Sequence, residues 1–415
     1  MAKVPALSRE FLKFWLGQSV SLLGNQFTQL ALPIAAAVTL HASALEMGVL
    51  GALRFAPALL VGLPAGVWVD RTRRQPLMVW SQVLSAAALG TIPLAAVLHL
   101  LSIGQLYAVA FVAGIAATIQ GIVLVALIPT VAGRDHLIEA NTRIQSSYTV
   151  SNLLGPGIAG AAVQALTAPI AIAFDAATFL VGALSAAWTR VVEVVPSRPQ
   201  RHPVADAIEG LRWLWREPLV RATTLTIVIN SGGTNVTLAV YVLYFVTHVG
   251  ITPAQIGIVF AVAGLTSLVG AQLSRPLVRR GWLGPVMAIG AAMVVLGQTG
   301  PLIAAYAPRV AVFPILVGFG ALVGVALMVY NVNQQAIRQA VTPDHIFGRV
   351  QAGIYVLAAA AQVAGSLLGG AIGETLGLRT ALAVGAAIAL TSALPTILSP
   401  LRALRAVPAA ALVKG

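Results

Sequence analysis

What most constrains this chain is a succession of apolar runs, each about 20 residues or longer, separated by short polar breaks. A helix needs roughly 20 apolar residues to cross a hydrocarbon layer. The runs fall at 11–40, 45–69, 76–98, 104–128, 143–166 and 169–190, and then at 219–247, 253–274, 282–304, 310–334, 349–373 and 378–400. The 415 residues are 58% hydrophobic and only 9% charged, where a soluble globule carries about a quarter charged residues. The expectation is an all-α membrane protein with 12 transmembrane helices in two six-helix bundles, embedded in a lipid bilayer.

Several function classes are disfavoured at once. The net charge of +13 would suit a nucleic-acid binder, but the cations punctuate the apolar runs and never form a continuous patch. Cysteine is absent, which excludes disulfides and thiol chemistry. The first run exceeds a secretory signal core in length and many more follow, so no cleavable leader is expected. The six histidines lack ligand spacing, and neither a GxxxxGK phosphate loop nor a nucleophile elbow occurs. No metal, no cofactor and no enzymatic activity are expected.

Cationic breaks are retained in the cytoplasm. Alternate breaks, counted from the N-terminus, hold 22 of the 25 Lys and Arg, while the opposite breaks hold only Arg309 and Arg379 and Arg54 lies inside a run. With an even span count, this predicts a multi-pass protein of the cytoplasmic membrane with both termini cytoplasmic. Residues 1–190 and 219–400 form the two halves and 401–415 a cytoplasmic tail. Between the halves, 191–218 is a linker whose segment DAIEGLRWLWREP places Ile208, Leu211 and Trp215 on one helical face, as an amphipathic helix on the inner membrane surface would.

The break GLPAGVWVDRTRRQP, 62–76, carries the strongest local motif. Gly62 and Gly66 share a helical face and would let a neighbouring backbone come close. Asp70 sits at the membrane edge, and Arg71, Arg73 and Arg74 crowd the turn. A weaker copy lies downstream, with Gly66, Asp70 and Arg71 recurring as Gly270, Ser274 and Arg275 at a shift of 204. Asn25 recurs as Asn230 at 205 and Arg143 as Arg349 at 206. The near-constant offset implies two halves related by an axis along the membrane normal. Asp70 can accept hydrogen bonds from the amides at a neighbouring helix start, which by the repeat is the eleventh span near Arg349, with Ser274 making a weaker contact near Arg143. The bland alternative is a basic turn that only fixes topology.

With the motif, the length, the charge bias and the repeat together, the chain resembles the major facilitator superfamily. The stretches GQSVSLLGNQFTQLALP, IPTVAGRDHLIEAN, FDAATFL, EGLRWLWREP and VTPDHIFGRV are similar to the exporter branch that includes enterobactin exporters and macrolide-efflux proteins. This resemblance implies alternating-access efflux of a small organic molecule such as a drug, siderophore or secondary metabolite, driven by proton antiport. It also implies a functional monomer and a cytoplasmic gate at Asp70. An importer or lysophospholipid flippase of the same fold, or a transporter-like sensor without flux, are the alternatives. Two features depart from the branch: Asn25 stands where an aspartate is common, and the fourth span lacks a membrane arginine. Gly155, Pro156 and Gly160 form a degenerate antiporter-like glycine element, its final paired glycine replaced by Ala161.

The resemblance assigns the central cavity to the first, fourth, seventh and tenth spans. Its polar candidates are Asn25, Gln26, Gln29, Gln120, Asn230 and Asn235, with Tyr330, Asn331 and Asn333 as further ones. NSGGTN, 230–235, suggests an interrupted helix beside a binding site. Arg54 and Asp175 are charges inside spans, costly to bury and therefore functional candidates for proton coupling, as a switchable pair or as a static one.

Overall fold

A computed structural model describes residues 7–191, 193 and 203–408, apart from the side chains of Leu63, Val67, Asp70, Arg134 and 203–207. Fifteen α-helices occur among the described residues. They are α1 Arg9–Ile34, α2 Ala44–Arg71, α3 Arg74–Val97, α4 Ile103–Ala132, α5 Leu137–Leu166, α6 Ala168–Trp188, α7 Pro203–Arg216, α8 Pro218–Val242, α9 Pro253–Arg279, α10 Leu283–Gln298, α11 Gly300–Tyr306, α12 Arg309–Val341, α13 Asp344–Thr375, α14 Leu378–Thr391 and α15 Leu394–Leu398. With α10 and α11, and α14 and α15, each forming one crossing, the long segments number twelve, six per sequence half. Ten of them are long and apolar enough to cross a membrane. The other two, α1 and α5, are diluted by polar residues such as Gln18, Asn25, Gln26, Asn141 and Asn152.

The helix starts are written locally. Ser8 accepts the Phe11 N–H at 3.0 Å, and Ser102 the Gln105 N–H at 3.3 Å, each satisfying an amide that has no intrahelical partner. The repeat extends beyond the motifs visible in the sequence. Both α1 and α8 end in a wider π-type turn, Ala35–Thr39 and Leu243–Val249.

The chain divides into two compact units, one of Met1–His41, Ala56–Gln200 and Thr252–Gly257, the other of Ala42–Phe55, Arg201–Ile251 and Ile258–Gly415. These are not simply the sequence halves, because the starts of α2 and α9 are exchanged. In lipid the apolar side chains gain little by leaving their solvent, so close packing and hydrogen bonds hold helices together. In the first unit, a Cβ on Gly17 would lie 2.2 Å from Ser185 Cβ, so α1 lies directly on α6. Phe11, Phe14, Met78, Val123 and Leu127 fill the core beside them. In the second unit, Gly365 meets the Gly232 carbonyl at 2.3 Å from its would-be Cβ, bringing α13 onto α8. Leu401 beyond α15 is fully buried, and the Gly284 N–H donates to Leu404 O at 2.7 Å, so the start of the tail packs on α10.

The amphipathic linker helix is α7, and its other side packs on α13. Gly210 and Leu214 are buried against α13, Leu211 approaches Gly353, and Ile208 and Trp215 are exposed. Gly210 decides this, because its missing side chain lets the Arg349 backbone approach a Cβ position to 2.7 Å.

Candidate transport site

In the first unit the polar residues of α1 meet α5 and α6. Gln26 Nε2 donates to Asn152 Oδ1 at 2.9 Å. Gly155 makes room for it, since a Cβ there would lie 2.3 Å from Gln26 Cγ. The candidate element Gly155, Pro156, Gly160 therefore has a packing role on two sides. Gly160 faces Pro253 O and Gly257 Cα of α9, at 2.7 and 3.0 Å from its would-be Cβ. Asp175 is fully buried, and its Oδ1 accepts the Thr178 hydroxyl at 3.3 Å beside Gly24, whose Cβ would come within 2.9 Å of that oxygen. Asn25 is half-buried and Gln29 exposed. Gln120 turns to α3, donating to Ser81 O and Ser85 Oγ, both at 3.1 Å. Arg54, half-buried in the second unit, has its guanidinium carbon 5.6 Å from the centroid of its neighbour Phe55's ring.

In the second unit Asn230 belongs to a polar triad. Its Oδ1 accepts from Gln298 Nε2 at 2.6 Å, and Gln298 Oε1 accepts the Thr234 hydroxyl at 3.0 Å. Gln298, on α10, was not a candidate from the sequence. The expected interruption at 230–235 does not occur, because α8 is a continuous α-helix over Pro218–Val242. Gly233 instead lets Ala389 N of α14 approach its Cβ position to 2.7 Å. The glycines thus bring neighbours in while the helix keeps its own backbone bonds. Asn235 donates to Ser231 O of its own helix at 2.9 Å.

On α12, Tyr330 and Asn333 are buried at 4% exposure and Asn331 is exposed. The two buried side chains both bond to neighbouring helices. The Tyr330 hydroxyl bonds Thr396 at 2.9 Å, and Thr396 bonds Thr226 at 2.9 Å. Asn333 Nδ2 donates to Ser274 Oγ at 2.8 Å. Residues three apart share a helical face while their neighbour turns about 100° away, so only Asn331 faces outward, accepting from Gln334 at 2.6 Å. Arg338, which the sequence reading placed in a break, lies inside α12 with 7% exposure, donating to Gln335 Oε1 at 2.6 Å.

At the cation-rich ends of the helices the glycines behave unequally. A Cβ on Gly62 or Gly66 would meet nothing within 4 Å, so the expected close approach there is absent. At Gly270 it would lie 2.2 Å from Val325 O, and α9 does press on α12. The motif glycine is used where a neighbouring backbone crosses it, and the residue alone does not say whether one will. The Asp70 side chain lies outside the described ones. Arg71, Arg73 and Arg275 are exposed. Arg74 donates to Ala126 O at 2.9 Å, and the start of α3 is capped by Glu193, which accepts the N–H groups of Arg74 and Gln75 at 2.6 and 2.7 Å. Glu193 was not foreseen. Arg143 pairs with Glu139 at 3.1 Å and stacks 5.4 Å from the Trp15 ring centroid, while Arg349 pairs with Glu209 of α7.

The cation-poor ends hold a matched arrangement built on two capping boxes. At the start of α2, Ser43 and Glu46 cap each other's amides at 2.8 and 3.3 Å. At the start of α9, Thr252 and Gln255 do the same at 2.9 and 3.2 Å. Each start receives a second acceptor: Glu374 of α13 takes the Leu45 N–H at 3.2 Å, and Gln164 of α5 takes the Ala254 N–H at 3.3 Å. Beside them, a Cβ on Gly48 would lie 2.8 Å from Gly370 Cα and 2.6 Å from Ser366 O. The arrangement on α2 is anionic, that on α9 neutral.

Among the described residues no cluster of His, Cys, Asp and Glu could hold a metal. The model of the Major Facilitator Superfamily matches residues 14–231 and again 223–412. The chain is 27% identical to a multidrug efflux pump, Tap, of Mycolicibacterium fortuitum, over 92% of this chain and 93% of that one. It is 25% identical to an enterobactin exporter, EntS, of Escherichia coli, over 88% and 85%. A macrolide efflux protein of Streptococcus pyogenes is 25% identical over 44% and 45%. Among solved structures, a bacterial homologue of the iron transporter ferroportin superposes with a TM-score of 0.74 at 15% identity, over 95% of this chain and 99% of that one. The nucleoside transporter NupG does so with 0.71 at 12% identity, over 94% and 99%. The family model covers both helical halves that the repeat relates, and the chain belongs to the Major Facilitator Superfamily.

Proposed function

We propose that this transporter exports a small, weakly charged or amphiphilic organic molecule from the cytoplasm by alternating access, with protons as the counter-ion. The observation that carries the reading is the likeness along nearly the whole chain to a multidrug efflux pump, supported by a likeness to exporters of a siderophore and, over half the chain, a macrolide. The polar groups described above suit such cargo. Gln26 with Asn152 and Asn230 with Gln298 are neutral amide pairs, set among apolar helices. Amides recognise hydroxyl, carbonyl and amine groups without demanding a charge. Asp175 is the carboxylate assigned to proton exchange. It is fully buried, and a charged side chain inside a span is costly and therefore a functional candidate. Asp70 is assigned to the cytoplasmic latch, with Ser274 as its weaker counterpart.

The test uses proteoliposomes with an imposed pH gradient and a panel of dyes and macrolides. Substrate-evoked proton flux that is lost in Asp175→Asn, with substrate binding retained, is the expected result. Flux that persists unchanged in Asp175→Asn removes the coupling assignment. Binding without flux in the wild type replaces transport by sensing, and accumulation in cells that rises with expression reverses the direction.

A further inference from the structure

The two arginines that break the charge asymmetry, Arg309 and Arg379, lie 70 positions apart in sequence, on the first turns of α12 and α14. Both line one cavity of about 600 Å³ at the cation-poor end of the second unit, together with Tyr244, His248 and Thr380. No acidic residue lines that cavity. Neither arginine has a carboxylate partner among the described residues, and Glu374, the acid nearest in sequence, has its carboxylate on the Leu45 N–H.

The site is built. Arg379 Nε donates to the Tyr244 hydroxyl at 2.9 Å, and that hydroxyl donates in turn to Ala305 O at 3.0 Å. The Arg379 guanidinium also lies 4.9 Å from the Tyr306 ring centroid, a cation–π arrangement that fixes its plane. With Nε committed, the two terminal nitrogens are left for a ligand. The amides of Leu378, Arg379 and Thr380 begin α14 and have no intrahelical acceptor. They lie at the same cavity, adding the positive end of the helix dipole. Two guanidinium groups with no anion of their own, one of them held by a tyrosine and backed by free amides, have the pattern that selects a tetrahedral oxyanion. Val249, Val312 and Leu376 complete the wall, so the anion can carry an organic substituent.

We infer that this cavity binds a phosphate group, either the headgroup of an anionic phospholipid or a soluble phosphate, through Arg309, Arg379 and the start of α14.

The test is thermal unfolding of the full-length protein in a neutral detergent, titrated separately with inorganic phosphate, with dioctanoyl phosphatidylglycerol, and with sodium chloride at matched ionic strength. A saturable rise in Tm with phosphate assigns the soluble form. A rise with phosphatidylglycerol alone assigns the lipid headgroup. In either case Arg309→Gln should weaken the response at least tenfold in half-saturating concentration, and Arg309→Gln with Arg379→Gln should abolish it. Arg280→Gln, an exposed cation at the opposite helix end, should leave it unchanged. Arg309 bonds no described residue, so its variant folds as the wild type and keeps the test decisive if Arg379→Gln does not. An equal response to sodium chloride, no response to any probe, or a full response in Arg309→Gln overturns the inference.

Discussion

The carboxylate of Glu374 accepts the backbone N–H of Leu45 at 3.2 Å, tying the end of α13 to the first turn of α2 across 329 positions of chain. Its counterpart by the repeat is the Gln164 amide on Ala254. A negative group at a helix N-terminus contributes about 0.3–1 kcal/mol. Glu374→Ala should loosen this end and Glu374→Gln should hold it. The chain has no cysteine, so Leu45→Cys supplies a single thiol. Maleimide should label it faster in the Glu374→Ala background and at the original rate in Glu374→Gln.

Gly48 and Gly62 stand on the same helix and invite the same substitution with opposite results. At Gly48 any side chain collides with Ser366 and Gly370 of α13, whereas at Gly62 a Cβ meets nothing within 4 Å. Gly48→Leu should destabilise by roughly 1–3 kcal/mol through overpacking and abolish transport. Gly62→Ala should leave transport intact and raise Tm slightly, because alanine favours a helix by about 1 kcal/mol over glycine. Transport assays and thermal melts on both variants check this.

Glu193 caps two amides at the start of α3 from outside that helix. Removing it strands both donors at a half-buried site, and Glu193→Ala should cost roughly 1–2 kcal/mol. Glu193→Gln should recover part of this, since an amide oxygen still accepts. Thermal unfolding in detergent separates the three proteins.

Glu10 precedes the first apolar run, and its carboxyl is held below the usual carboxylate range, first by the Lys13 ammonium at 2.8 Å and then by the Arg190 N–H. A group whose pKa is depressed by folding adds stability above its unfolded pKa and loses it as the pH falls through the folded value. Glu10→Gln should therefore melt below the wild type at pH 7. The two should converge as the pH is lowered past about 4, a trend that paired melts across pH 3–7 would reveal.

Much of this molecule is legible along the chain because its signals are local. Apolar runs of helical length, the alternation of cationic breaks and the 204–206 shift depend only on residues near one another or on their spacing. The Ser43–Glu46 and Thr252–Gln255 boxes are equally local and could have been read from the S/T-x-x-E/Q pattern. The polar candidates on α12 differ in exposure for a geometric reason. Helical periodicity says that Tyr330 and Asn333 share a face and that Asn331 does not. It cannot say which face meets Ser274 and Thr396 and which is open.

The sequence alone therefore determined the membrane habit, the helix count, the repeat and the family likeness, since each follows from composition and period. Only the tertiary structure decided which glycines are crossings, that Glu193 and Glu374 cap helices far from them in the chain, and that Arg309 and Arg379 share a cavity. Those outcomes rest on which backbone arrives within 3 Å of a given position, and a pattern of period 3.6 specifies a face without naming its neighbour.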